Sequence, residues 1–119
     1  MLVEDDPISR ESLELVFATC GAHVVSAASM ADALVCYEHA LPAIVVSDIG
    51  LPGGDGCALI RAIRAREFGG DRTPAIAVSG YPSRETGDRA RRAGFDAFLS
   101  KPIDLGELFR VVRALISAA

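Results

Sequence analysis

Short apolar runs alternate along the chain with longer stretches whose apolar residues recur every three or four positions, and the alternation repeats five times. Runs of the first kind suit strands covered on both faces; the second kind gives helices with one buried stripe. Met1-Leu2-Val3 reads as the end of a first strand, followed by a helix from Pro7 to Cys20 with Leu13, Val16, Phe17 and Cys20 as its stripe. His23 to Ala27 is expected as a second strand, and Ser29 caps a second helix with Ala33, Leu34 and Tyr37 inward. His39 falls near that helix's end, where it suits the dipole, and Pro42 closes the connection. The run from Ala43 to Val46 is a third strand that ends on Asp48 and breaks into a loop holding Gly50, Pro52, Gly53 and Gly54.

Leu59, Ile60 and Ile63 mark a third helix from Gly56 to Arg66, and Gly69-Gly70-Asp71 a turn. Ala75 to Ser79 is a fourth buried strand, and Gly80-Tyr81-Pro82 a break. Ser83 caps a fourth helix to Ala93 that is polar nearly all round and contains Gly87, so it is expected to be weakly anchored. Asp96 to Ser100 is a fifth strand. Asp104 caps a last helix with Leu105, Leu108, Val112, Leu115 and Ile116 as its stripe. Five βα units with right-handed crossovers close as a parallel sheet with helices on both faces, the doubly wound α/β class. One domain over residues 1–119 is expected, with no linker or repeat.

Composition narrows the function. Half of the residues are apolar and the net charge is −4, which leaves no basic footprint for nucleic acid. No apolar run nears the roughly 18 residues of a membrane span, and no leader pattern opens the chain, so a cytoplasmic protein is expected. Cys20, Cys36 and Cys57 lack ligand spacing and are expected as small buried hydrophobes. His23 likewise has no partner at ligand spacing. Eleven of the twelve basic residues are Arg; the single lysine is Lys101, directly after the fifth strand. A flexible ammonium acts as a point charge where Arg's planar fork does not.

In an open parallel sheet, chemistry collects at the carboxyl ends of the strands. Here those ends carry Glu4 and Asp5, Asp48, Ser79 and Lys101. Clustered carboxylates raise one another's pKa, a conflict that a divalent cation removes. An all-oxygen set favours Mg²⁺ or Mn²⁺ over Zn²⁺. The hydroxyl and the ammonium suit a second anion, with a phosphoryl group the obvious candidate, and a carboxylate nucleophile gives an acyl phosphate.

Four segments, Leu2 to Pro7, Ser47 to Gly56, Ala77 to Tyr81 and Phe98 to Pro102, together resemble the receiver domain of bacterial two-component response regulators over essentially the whole chain. The resemblance implies a flavodoxin-like fold with strand order 2-1-3-4-5. It implies Asp48 as phosphoacceptor, supplied by a phosphohistidine on a histidine kinase or phosphotransfer domain. It implies Mg²⁺ held by Asp5, Asp48, the carbonyl of Gly50 and, through water, Glu4. Ser79 and Lys101 would hold the phosphoryl group, Phe98 would swing inward as Ser79 moves, and a cis bond would precede Pro102. Such a domain modifies itself and is not a turnover enzyme. Its output would reach a protein effector, or a second copy through the fourth helix, fifth strand and fifth helix, with no direct contact to nucleic acid or membrane.

The sequence departs from the family pattern at two switch positions. Ser79 stands for the commoner Thr, and Phe98 for the common Tyr, so no phenol can reach the loop after strand four. Gly50 and Tyr81 fall where the family tunes dephosphorylation. The loop wording and helical finish resemble receivers of hybrid sensor kinases; a free-standing regulator is the alternative. An interaction module that never carries phosphate is the rival reading, and the complete acid–hydroxyl–lysine set argues against it. An aspartyl phosphohydrolase would need an acid at Gly50, and a flavin site a hydroxyl-rich loop where Glu4-Asp5-Asp6 stands.

Overall fold

The computed structural model describes residues 1–51, 54–67, 72–80 and 83–118. The turn expected at Gly69 to Asp71, together with Pro52, Gly53, Tyr81 and Pro82, lies outside them. Among the described residues the sheet strands are β1 (Leu2–Val3), β2 (Ser26–Ala27), β3 (Val45–Asp48), β4 (Ala75–Ser79) and β5 (Ala97–Ser100). All neighbouring pairs are parallel and the order is 2-1-3-4-5, as expected. The helices are α1 (Pro7–Thr19), α2 (Met30–Ala40), α3 (Gly56–Ala65), α4 (Arg84–Ala93) and α5 (Leu105–Ala118).

Alternation along each strand divides the core in two. Val3, Val45, Ala75 and Ala77 face α2, α3 and α4, where Leu59, Ile60 and Ile63 are almost wholly buried. Each of these side chains contributes about 2 kcal/mol of burial. Leu2, Val46, Ile76 and Val78 face the other way, under Leu108 of α5 and the partly buried Leu13 and Phe17 of α1. The rings of Phe17 and Phe109 meet edge to face at 5.5 Å.

Four polar residues start helices as the sequence indicates. Asp6, Ser29 and Ser83 accept from the backbone N–H groups of Ser9, Asp32 and Thr86. Asp104 accepts from Glu107 at 3.0 Å. Asp55, not singled out in the sequence, caps α3 through Ala58 at 2.7 Å.

Several expectations need correction. The second strand is shorter than His23–Ala27; only Ser26 and Ala27 pair in register with β1. The glycine-rich loop is not wholly irregular, since Gly50–Leu51 pairs antiparallel with Gly54–Asp55. Cys57 is buried, but Cys36 is half-buried and Cys20 exposed, because Cys20 is the C-cap beyond the last turn of α1. In α5, Leu105 and Ile116 are exposed; Leu108, Val111, Val112 and Leu115 form the packed stripe. In α4, Gly87, Ala90 and Ala93 line up three apart and are all buried, which gives the helix a face of small residues.

Arg64 ties down the edge of the sheet where β4 and β5 begin. Its guanidinium donates to the carbonyls of Thr73 (2.6 Å) and Gly94 (2.8 and 3.1 Å) and to the carboxylates of Glu67 and Asp96. Asp96 in turn accepts from the Ala75 N–H at 2.9 Å.

Candidate functional site

Register carries the chemistry to the opposite edge. Val3 lies beside Ser47, Asp48 beside Val78, and Ser79 beside Ser100. Glu4, Asp48, Ser79 and Lys101 therefore leave adjacent strands at one level. Lys101 Nζ donates to Glu4 Oε1 and to Asp48 Oδ2, both at 2.8 Å, and so joins the first strand end to the third. Asp48 Oδ1 accepts from the Gly50 N–H at 3.1 Å. The Lys101 N–H donates to the Ser79 carbonyl at 2.8 Å, and the bond from Lys101 to Pro102 is cis, as expected.

Below this cluster the cleft is floored by Leu2, Leu13, Val46, Val78 and Ile103. That apolar floor explains the electrostatics. Glu4 is 3% exposed. Burial, then the neighbouring Asp48 carboxylate, pushes its carboxyl up to about 7 against the pull of Lys101. Burial would also raise Asp48, but the neighbouring Glu4 carboxyl, the Lys101 ammonium and the Gly50 N–H outweigh it and hold Asp48 below the usual range. Burial would lower Lys101, but its bonds to Asp48 and Glu4 outweigh that and raise it. Below about pH 7 a proton is therefore favoured on Glu4 and the negative charge on Asp48.

A pH dependence follows. In chelator, the folded chain keeps Glu4 protonated between pH 4.5 and about 7, where the unfolded chain has released that proton. The unfolded state binds fewer protons there, so this group makes stability fall as pH rises. Thermal melts across that window are expected to slope less in Glu4→Gln than in the wild type; equal slopes would refute the assignment.

One oxygen each from Glu4, Asp5 and Asp48 lies within 4.8 Å of the others. Glu4 Oε2 is buried and has no hydrogen-bond partner among the described residues. An unpartnered buried carboxylate oxygen inside an all-oxygen cluster is what a hard divalent cation relieves, so the residues fit such an ion.

The structure thus brings Glu4, Asp5, Asp48 and Lys101 together, with Gly50 adjacent. Ser79 ends β4 on the same edge and is 6% exposed. Phe98 is half-buried and turned toward α4; a Cβ built on Gly87 would stand 3.7 Å from its ring. The sequence reading placed Gly56 at the start of α3 but missed its close packing. A Cβ there would lie 2.5 Å from the Asp48 carbonyl oxygen, because α3 starts directly against the end of β3. The Asp-Gly pair at a helix start was the available signal.

Residues 1–113 match the family described as "Response regulator receiver domain". The chain belongs to this family. Among relatives of this receiver domain, an uncharacterized 14.6 kDa protein from the sodA1 3′ region of Leptolyngbya boryana is 38% identical over 113 residues, which cover 95% of this chain and 86% of that one. Response regulator Rre1 of Synechocystis is 37% identical over 98% of this chain, which spans only 51% of Rre1. The fold agrees with a putative response regulator from Chloroflexus aurantiacus at a TM-score of 0.89 and 29% identity, covering 98% and 94% of the two chains. The receiver domain of sensor histidine kinase PA1611 from Pseudomonas aeruginosa, whose structure has a magnesium ion coordinated in the active site cleft, aligns at 0.87 and 30% identity over 98% and 94% of the two chains. Among the described residues no helix is long and apolar enough to cross a membrane.

Proposed function

We propose that the domain is a phosphoacceptor in a two-component phosphorelay, with Asp48 as the accepting residue. The observation that carries this reading is the placement of an ionised Asp48 at the sheet edge, held by the ammonium of Lys101 beside two further acids. Asp48 attacks the phosphorus of a phosphohistidine on a histidine kinase or phosphotransfer partner. The new O–P bond forms as the N–P bond breaks, and the electron pair of that bond leaves on the imidazole. Asp5, Asp48, the Gly50 carbonyl and Glu4 would hold Mg²⁺ or Mn²⁺, which when bound offsets the negative charge gathering between carboxylate and phosphoryl group. Lys101 follows the oxygens as charge shifts toward them, and Ser79 donates from the neighbouring strand end.

With Ser79 drawn toward the phosphoryl group, the space it leaves admits Phe98, whose ring exchanges its place over Gly87 for an inward one. The α4–β5–α5 surface then changes by a shift between pre-existing conformations. A protein effector or a second copy of this cytoplasmic domain would read that surface.

The test is incubation with Mg²⁺ and a small acyl phosphate donor, followed by intact mass. Gain of one phosphoryl group, lost at alkaline pH, supports the reading; no gain in Mg²⁺ sinks it. The lifetime of the product is a separate prediction. Gly50 has no side chain, so no side-chain group at this position orients an attacking water. Loss of the phosphoryl group is expected on the scale of an hour; a lifetime of seconds would reject this.

A further inference from the structure

Arg10 sits in the first turns of α1, outside the cluster just described. Its Nη1 donates to the carbonyl oxygen of Glu4 at 3.0 Å. Its Nε lies 3.8 Å from Glu14 Oε1, and that oxygen accepts from Ser26 Oγ at 2.5 Å. Ser26 belongs to β2, paired with Leu2. The guanidinium is therefore held by an acid that is itself fixed to the sheet.

The atom it holds matters. β1 ends at Val3 and Asp6 already caps α1, so Glu4 and Asp5 form the whole turn between strand and helix. On one side the Glu4 N–H donates to Ala27 O at 3.0 Å. On the other side Arg10 takes the carbonyl. The peptide groups before and after Glu4 are thus both pinned, and the second of them sets the direction in which Asp5 leaves the chain.

We infer that Arg10 is a positioning residue for the acidic turn: by fixing the Glu4–Asp5 peptide it aims both carboxylates at Asp48 and so sets the cation affinity of the site. The inference rests on the proposed function, which requires a cation there. A rival account, in which Arg10 is only a nearby positive charge, has the opposite sign. A bare charge repels an incoming cation, so its removal would tighten binding. Loss of a positioning bond loosens it, by about tenfold on the scale typical of groups that orient metal ligands.

Two variants separate these accounts. Arg10→Gln removes the charge and shortens the reach; Arg10→Lys keeps the charge but loses the fork. Mg²⁺ dissociation constants from titration calorimetry are read beside thermal melts in chelator, which register any purely structural loss. About tenfold weaker Mg²⁺ binding in both folded variants supports the inference. Unchanged or tighter binding in either one overturns it, even if that variant melts earlier. Should Arg10→Gln not fold, Arg10→Lys decides by the same constant. A wild type that binds no Mg²⁺ overturns the phosphoacceptor reading and this inference together, whereas a wild type that binds with unweakened variants overturns this inference alone.

Discussion

Asp48→Asn is expected to reduce phosphoryl uptake by about 10⁴-fold or more, the scale on which loss of a reacting group is felt. The substitution keeps the shape of the side chain and removes its charge. A carboxamide oxygen is a poor nucleophile, and no neighbour takes over. Glu4 is buried and bonded to Lys101. Stability should move little, or rise. Asparagine relieves the conflict between two acids in one apolar-floored cleft, while Lys101 keeps its bond to Glu4. Intact mass after donor treatment and a thermal melt in chelator check both halves. Uptake in the variant equal to that of the wild type would mean that another residue is the acceptor.

Gly56→Ala is expected to cost the fold about 3 kcal/mol or more and to lower the melting temperature by about 10 °C. The new Cβ would stand 2.5 Å from Asp48 O, 2.9 Å from Ile49 Cα and 3.2 Å from Asp48 C. All three are backbone atoms, so no side chain can swing aside. The Gly56 N–H also donates to Ile49 O at 2.6 Å, which leaves α3 no room to back away. Gly50→Ala is the control, because its Cβ meets nothing within 4 Å and should change stability by less than about 0.5 kcal/mol. Equal melting temperatures for the two variants would show that α3 shifts more freely than its contacts indicate.

The strand ends were the legible part of this chain. Period and punctuation located β3, β4 and β5 closely enough to place Asp48, Ser79 and Lys101 on one edge, and parallel register brought Glu4 beside them. Capping by Asp6, Ser29, Ser83 and Asp104 was legible because each acts within four residues. Contacts made across the fold were not. The buried face of α4 escaped notice because Gly87, Ala90 and Ala93 carry almost no hydropathy; close approach, not apolar bulk, seats that helix. Leu105 and Ile116 match the helical period of α5, yet they lie near its two ends and are exposed. Arg10 and Arg64 act on backbone carbonyls, and no pattern of side-chain types announces such a bond.

The bonds of Arg64 have a mechanical consequence. They clamp the starts of β4 and β5 through Thr73, Gly94 and Asp96, at the margin of the sheet farthest from Lys101. Relative sliding of the two strands is therefore resisted at that margin, while at the other the Lys101 N–H on the Ser79 carbonyl holds both residues level with Asp48.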